Sequence, residues 1–286
     1  MYNNLVLSGG AFKCSAFIGC LKFLEENNHV SNIKNVIGSS AGSIIACLYC
    51  LGFTADAMRD IFIKSFALYT NRELDSDVEN MFDFIDKMGI EDAEVISKML
   101  SDILLNKYNV SEISFIELAK KTGKNLIITG SNLSLVKTDY FSVNTHPDMS
   151  IYQAIRISIS IPYIFKPVIF NEMLYTDASL FNNFPLDFFD SKIPYQNTIS
   201  ILLETKNTID IKKLNIFNYT RVLFDAVFYK LNGEYKTGIE KNNIIIKINF
   251  EDNSFDFGAK INENMLDKYI EQGYTYIVKH SHLFTE

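Results

Sequence analysis

The first feature with chemical content is a serine set between glycines: Gly38-Ser39-Ser40-Ala41-Gly42 follows the pattern G-x-S-x-G. A serine hydroxyl titrates far above neutrality. It attacks an acyl carbon only where a base takes its proton and donors stabilise the oxyanion that forms. Flanking glycines permit the tight bend that projects Ser40, and a helix starting at Ala41 aims its positive end at the hydroxyl. The plainer alternative is the glycine-softened start of a buried helix. A second turn, Ser8-Gly9-Gly10-Ala11-Phe12-Lys13, offers glycines that let successive N–H groups converge on one anionic atom. Its spacing matches neither G-x-G-x-x-G nor G-x-x-x-x-G-K-[ST], so an oxyanion hole at Gly9, Gly10 and Ala11 accounts for it better than a nucleotide site. An ordinary strand-to-helix connection is the alternative. Lys13 either meets a phosphate or the loop's own carbonyls, or stands solvated.

The base is less clearly marked. His29, His146, His280 and His282 are the only histidines. A chain order of Ser, Asp, His would be satisfied by His280 or His282, although both stand in a polar tail. The other option is a carboxylate acting directly on the serine. Asp177 comes after a short apolar stretch, Met173 to Thr176, and precedes an Asn-Asn-Phe-Pro bend; by position alone it is one of many carboxylates, and a turn aspartate capping the next segment is the alternative. Tyr163, Phe165, Phe170, Phe181 and Phe184 flank it and offer the lining of an acyl-chain pocket, with part of the group serving as ordinary core.

The elements that must hold these residues read as two successive strand–turn–helix units. Leu5-Val6-Leu7 precedes the first glycine turn and a helix from Phe12 to Glu26; a short strand ending at Ile37 precedes the second, with its helix running from about Ala41 to before Gly52. This order predicts a parallel sheet with helices on its faces. Charged amphipathic helices fill Ala55 to Lys121, as an insertion that is a lid or a flank. Strands are expected at Asn125–Thr129, Tyr140–Val143, Thr198–Leu203 and Ile244–Ile248, and helices at Ile211–Leu231 and Asn262–Lys279.

Composition limits the function. The 286 residues, 48% hydrophobic, suffice for one large core and contain no evident linker. A net charge of −7 without a Lys/Arg-rich run argues against a nucleic-acid partner. The uncharged run Asn35–Gly52 is the one candidate membrane span, but its glycines leave a helix too short to cross. Cys14, Cys20, Cys47 and Cys50 lie in apolar helical segments, a poor disulfide framework, and Cys47-x-x-Cys50 reads as core packing rather than a metal or redox site. With no signal peptide, an intracellular, cytoplasmic location is expected, peripheral at membranes at most.

The order of these segments resembles that of the patatin-like phospholipases. "LVLSGGAFKCSAFIGCLKFLEE" is similar to their strand, oxyanion loop and helix, and "VIGSSAGSIIA" to their nucleophile elbow. "ELAKKTGKNLIITGSNLSLVKTDYFS" resembles their middle strand pair, "AIRISISIPYIFKPVIFNEMLYTDASLFNNFPL" the segment ending in their catalytic aspartate, and "INENMLDKYIEQGYTYIVKH" their last helix. The resemblance covers almost the whole chain, least recognisably Ala55 to Lys107. It implies a three-layer α/β/α fold with a mainly parallel central sheet, as one domain over 1–286 whose motifs lie in 4–188, with 55–121 as the insertion and 189–286 completing the domain. It also implies a Ser40–Asp177 dyad without histidine and oxyanion donors around Gly9, Gly10 and Ala11; substrate contacts from Lys13, Tyr163, Phe165 and Phe181 are expected from the residues themselves. No metal or cofactor is implied, and the partner is a lipid or phospholipid met at a membrane surface only transiently. Ala11 and Cys14 stand where the family has glycines, and Ala178-Ser179 comes after the aspartate where Gly is usual. An alanine held at positive φ in either place would carry strain, and a site spoiled by these changes would leave a lipid-binding or interaction protein.

Overall fold

The computed structural model describes residues 2–70, 89–91, 93–188, 197–205, 237–240, 243–250 and 262–284, with scattered positions between 219 and 230. The helix expected over Ile211–Leu231 and the middle of the insertion, including Met81 and Phe84, lie outside the described stretches.

β1 (Asn4–Leu7) is the centre of the sheet. It pairs in parallel with β2 (Asn35–Gly38) on one side and β9 (Thr198–Thr205) on the other. Parallel pairing continues outward to β4 (Asn125–Asn132) beyond β2 and to β11 (Asn243–Phe250) beyond β9. Beyond this five-strand parallel centre the sheet turns antiparallel. β10 (Gly238–Glu240) pairs with β11, β5 (Lys137–Ser142) and β8 (Met173–Thr176) with β4, and β7 (Val168–Phe170) with β8. The central sheet is thus parallel, as expected, and becomes mixed through antiparallel strands at its edges. The reason is connection length: β4–β5 and β7–β8 are joined by tight hairpins, which only antiparallel neighbours can use. A separate two-stranded pair joins β3 (Gly89–Glu91), inside the stretch expected to be purely helical, to β6 (Tyr163–Phe165).

Alternation along the strands divides the core. Leu5, Leu7, Val36, Leu126, Ile128, Ile199 and Ile201 face the larger cluster, which includes α1 (Ser15–Glu26), α2 (Ala41–Cys50), α4 (Glu94–Tyr108), α5 (Phe115–Thr122), α6 (Ile151–Ser158) and α8 (Glu263–Lys279). Val6, Ile37, Ile127, Leu202 and Ile245 face the opposite layer, where Phe184, Leu186 and Phe188 come after the short α7 (Ser179–Asn182). This is the three-layer α/β/α arrangement. α1 and α8 cross at two glycines, since a Cβ on Gly19 would overlap the Ile270 carbonyl and one on Gly273 the Ala16 carbonyl. α3 (Ala55–Thr70) packs beside α1, and Arg59 on α3 makes a two-pronged bond to Asp267 on α8.

The uncharged run resolves into β2 and the ten-residue α2, which at 1.5 Å per residue is about half the length needed to cross a bilayer. Among the described residues no helix is long and apolar enough to do so.

Candidate active site

Ser40 occupies the bend between β2 and α2 with φ 47° and ψ −129°. This is a costly conformation for a residue with a Cβ, maintained by what surrounds it. Its N–H donates to Ser158 Oγ at 2.9 Å, and its carbonyl accepts from Ser43 N–H at 2.9 Å and Ser43 Oγ at 2.6 Å. The hydroxyl is thereby aimed at the other end of the site. Ser40 Oγ donates to Asp177 Oδ2 at 2.7 Å, and both residues are buried.

Asp177 leaves β8 at the level of the elbow, because β8 runs antiparallel to β4 with Thr176 opposite Ser131. Its own N–H donates to the Ser160 carbonyl and that of Ala178 to the Ser158 carbonyl, each at 3.0 Å. Ser158 therefore ties the serine bend and the aspartate bend together. Oδ1 accepts the Ser179 N–H at 2.8 Å. Burial raises the carboxyl from its ordinary 3.8 to about 6, partly opposed by hydrogen bonds from Ser40 and Ser179. Such a group is ionised at neutral pH yet more basic than an exposed carboxylate.

The first turn lies against the second. Ser8 N–H donates to the Ile201 carbonyl and Leu203 N–H to Ser8 Oγ, which fastens the turn to β9. Gly9 N–H is committed to the Asn183 carbonyl at 3.2 Å, so the expected donor set narrows to Gly10 and Ala11. Ala11 opens the 3-10 turn Ala11–Cys14 with φ 46°, the strain expected for an alanine there, whereas Ala178 sits unstrained at φ −59°. Ala41 is a donor that the sequence pattern does not single out. As the first residue of α2 its N–H has no intrahelical acceptor, and it adjoins Ser40.

Other expected site residues fall elsewhere. Lys13 is buried with its ammonium 5.4 Å from the centroid of Phe250, which excludes a solvated lysine. Phe165 is core, with the Arg156 guanidinium 5.8 Å from its ring centroid, while Tyr163 is 40% exposed at φ 70° and Phe181 is half-buried on α7. The aromatic group is split by the sheet: Phe184 packs on the far face with Val6 and Ile37, and Phe170 on Phe141, His146 and Tyr175. A cavity of about 250 Å³ lies instead beside Cys47 and Leu51, bounded by Leu100, Leu104, Ile113 and Ile151. Cys47 is seven residues along α2 from Ser40, about 10 Å at helical rise. No histidine stands between Ser40 and Asp177; His280 stacks on Tyr276 and pairs through Nδ1 with its carbonyl. Burial pushes the thiols of Cys14 and Cys47 up to about 12, and those of Cys20 and Cys50 also upward, so all four are inert at neutral pH.

Fold and site together define a three-layer α/β protein in which a strained serine turn faces a buried carboxylate. A model of the family described as "Patatin-like phospholipase" matches residues 5–190, and the chain belongs to that family. It is 30% identical over 269 residues to an uncharacterised protein of Acanthamoeba polyphaga mimivirus, covering 91% of this chain and 88% of the relative. A probable lipid hydrolase of Invertebrate iridescent virus 6 is 36% identical over 188 residues, 65% of this chain and 62% of that protein. Among solved structures, VipD from Legionella pneumophila aligns over 97% of this chain and 66% of its own with a TM-score of 0.55 at 16% identity, a likeness of fold.

Proposed function

We propose that the protein is a lipid acyl hydrolase of the phospholipase A type, working through an acyl-serine intermediate on Ser40 with Asp177 as the base. The observation that carries this reading is the direct 2.7 Å hydrogen bond from a strained, buried serine to a buried carboxylate of raised basicity. Family membership supports the substrate class, fatty-acyl esters of phospholipids.

Asp177 Oδ2 takes the Ser40 proton as Oγ attacks the ester carbon. The oxyanion that forms is stabilised by the N–H groups of Gly10 and Ala11 and by the positive amino end of α2. Collapse of this intermediate returns the proton from Asp177 to the leaving alkoxide, leaving an acyl ester on Ser40. Water then enters, gives its proton to Asp177, and the same steps run in reverse to release the fatty acid.

Hydrolysis of a panel of phospholipid, triacylglycerol and short-chain esters by the wild type, Ser40→Ala and Asp177→Asn tests this. Fatty-acid release from phospholipid by the wild type is expected, with a loss of about 10⁴-fold in either variant. Near-wild-type turnover by either variant contradicts the assignment.

A further inference from the structure

A side chain outside the dyad reaches the nucleophile's own backbone. Ser158 is the last residue of α6 and is fully buried. Its Oγ accepts the Ser40 N–H at 2.9 Å, and its carbonyl accepts the Ala178 N–H at 3.0 Å. The second bond follows from helix geometry, since the last carbonyls of a helix have no intrahelical partner and must find one outside. Two residues on, the Ser160 carbonyl takes the Asp177 N–H at 3.0 Å and the Thr176 hydroxyl at 3.0 Å. This helix end therefore holds the base by backbone, which survives a side-chain substitution, and holds the nucleophile by a hydroxyl, which does not.

The two peptide groups of Ser40 are also unequally secured. Its carbonyl has two donors, the Ser43 N–H at 2.9 Å and the Ser43 hydroxyl at 2.6 Å. Its N–H has one acceptor among the described residues, the Ser158 hydroxyl. Without that acceptor a buried N–H would stand unpaired, a costly state that rotation of the peptide relieves. Ser40 at φ 47° would then relax toward negative φ and carry its Oγ away from the 2.7 Å approach to Asp177 Oδ2.

We propose that Ser158 is a positioning residue, whose hydroxyl holds the strained Ser40 peptide in the orientation that keeps Oγ against Asp177. The inference rests on the dyad reading above. Ser158 acts through Ser40, so it governs the rate of attack rather than the binding of substrate. It also commits the Ser40 N–H, which leaves the oxyanion to the first turn and the start of α2.

The test is steady-state hydrolysis of a soluble short-chain ester, with the rate of fluorophosphonate labelling beside it, by full-length wild type, Ser158→Ala, Ser160→Ala, Ser40→Ala and Asp177→Asn, each checked for folding by thermal melting. Ser160→Ala removes an equally buried hydroxyl from the same helix end, one bonded to the Ile157 carbonyl at 2.6 Å rather than to the elbow. Ser158→Ala is expected to lower kcat by about 10- to 100-fold with KM changed by no more than about twofold, and to slow labelling in proportion. Ser160→Ala should lose less than about threefold in kcat. Should Ser158→Ala fail to fold, Ser158→Cys keeps nearly the same shape with a much weaker acceptor and carries the same expectation. A folded Ser158 variant within about threefold of wild-type kcat, an effect confined to KM, or equal losses in the Ser158 and Ser160 variants overturns the proposal. Ser40→Ala or Asp177→Asn hydrolysing at the wild-type rate overturns instead the dyad on which it rests.

Discussion

The two turns that meet at the site spring from adjacent parallel strands and each hold a non-glycine residue at positive φ, Ala11 at 46° and Ser40 at 47°, yet they are held in different ways. The serine turn is closed by backbone: a Cβ on Gly42 would overlap the Ser8 carbonyl oxygen and stand 2.9 Å from that of Leu7. The donor turn is closed at Gly10 by a side chain, since a Cβ there would meet Leu203 Cδ1 at 2.7 Å and Cβ at 3.2 Å. Backbone of a central strand cannot move aside, whereas a leucine can repack. The Ser40 turn is therefore fixed more rigidly than the Gly9–Ala11 turn, which accommodates an alanine where the family resemblance places glycine.

The largest expected effect breaks the rigid side of this comparison. Gly42→Ala should cost about 3 kcal/mol or more in denaturant unfolding, and Gly10→Ala about 1 kcal/mol. Equal costs would remove the distinction between the turns.

Asp177, gripped between the two turns, gives the next effect. Its folded value of about 6 lies above its ordinary 3.8, so the ionised form is the costly one in the folded protein. That contribution favours folding fully below the unfolded value and is lost as pH rises through about 6. Asp177→Asn should therefore raise stability at pH 7 by about 2 kcal/mol while abolishing hydrolysis, and the gain should fade by pH 4. Thermal melts at both pH values check this.

Ala11→Gly sharpens the comparison from the softer side. Relief of positive φ is offset by glycine's extra unfolded-state entropy, so a gain of no more than about 1 kcal/mol is expected, measured with the hydrolysis rate retained. A loss of stability would mean that Ala11 is not strained. Smallest of all, replacing His280 and His282 together by Ala should leave ester hydrolysis unchanged; a large drop would bring the Ser–His–Asp reading back.

Both turns were legible in the sequence because each needs small residues at fixed offsets after an apolar strand. The ends of α2 and the core strands could be read from the same punctuation. What the sequence hid depends on where side chains and edges meet in space. Ser158 and Ser160 look like scattered polar residues in an apolar helix end, and their bonds to Ser40, Asp177 and Ala178 arise only once α6 packs beside the elbow. Lys13 reads as a loop cation, but the tight turn folds it under Phe250, more than two hundred residues away. The aromatic cluster near Asp177 is contiguous in sequence yet divided by the sheet, since alternation and the bend at Asn183 send Phe184 to the opposite layer. Three-residue strands such as β3 and β6 are too short to show a period.

The most direct test of the central claim, that Asp177 alone activates Ser40, is the rate of covalent modification by a fluorophosphonate, with the labelled residue located by mass spectrometry. Labelling of wild type at Ser40, slowed at least about 100-fold in Asp177→Asn and undiminished in the double-histidine variant, is the predicted result. Folded wild type that does not label, or an Asp177→Asn variant that labels at the wild-type rate, would contradict it.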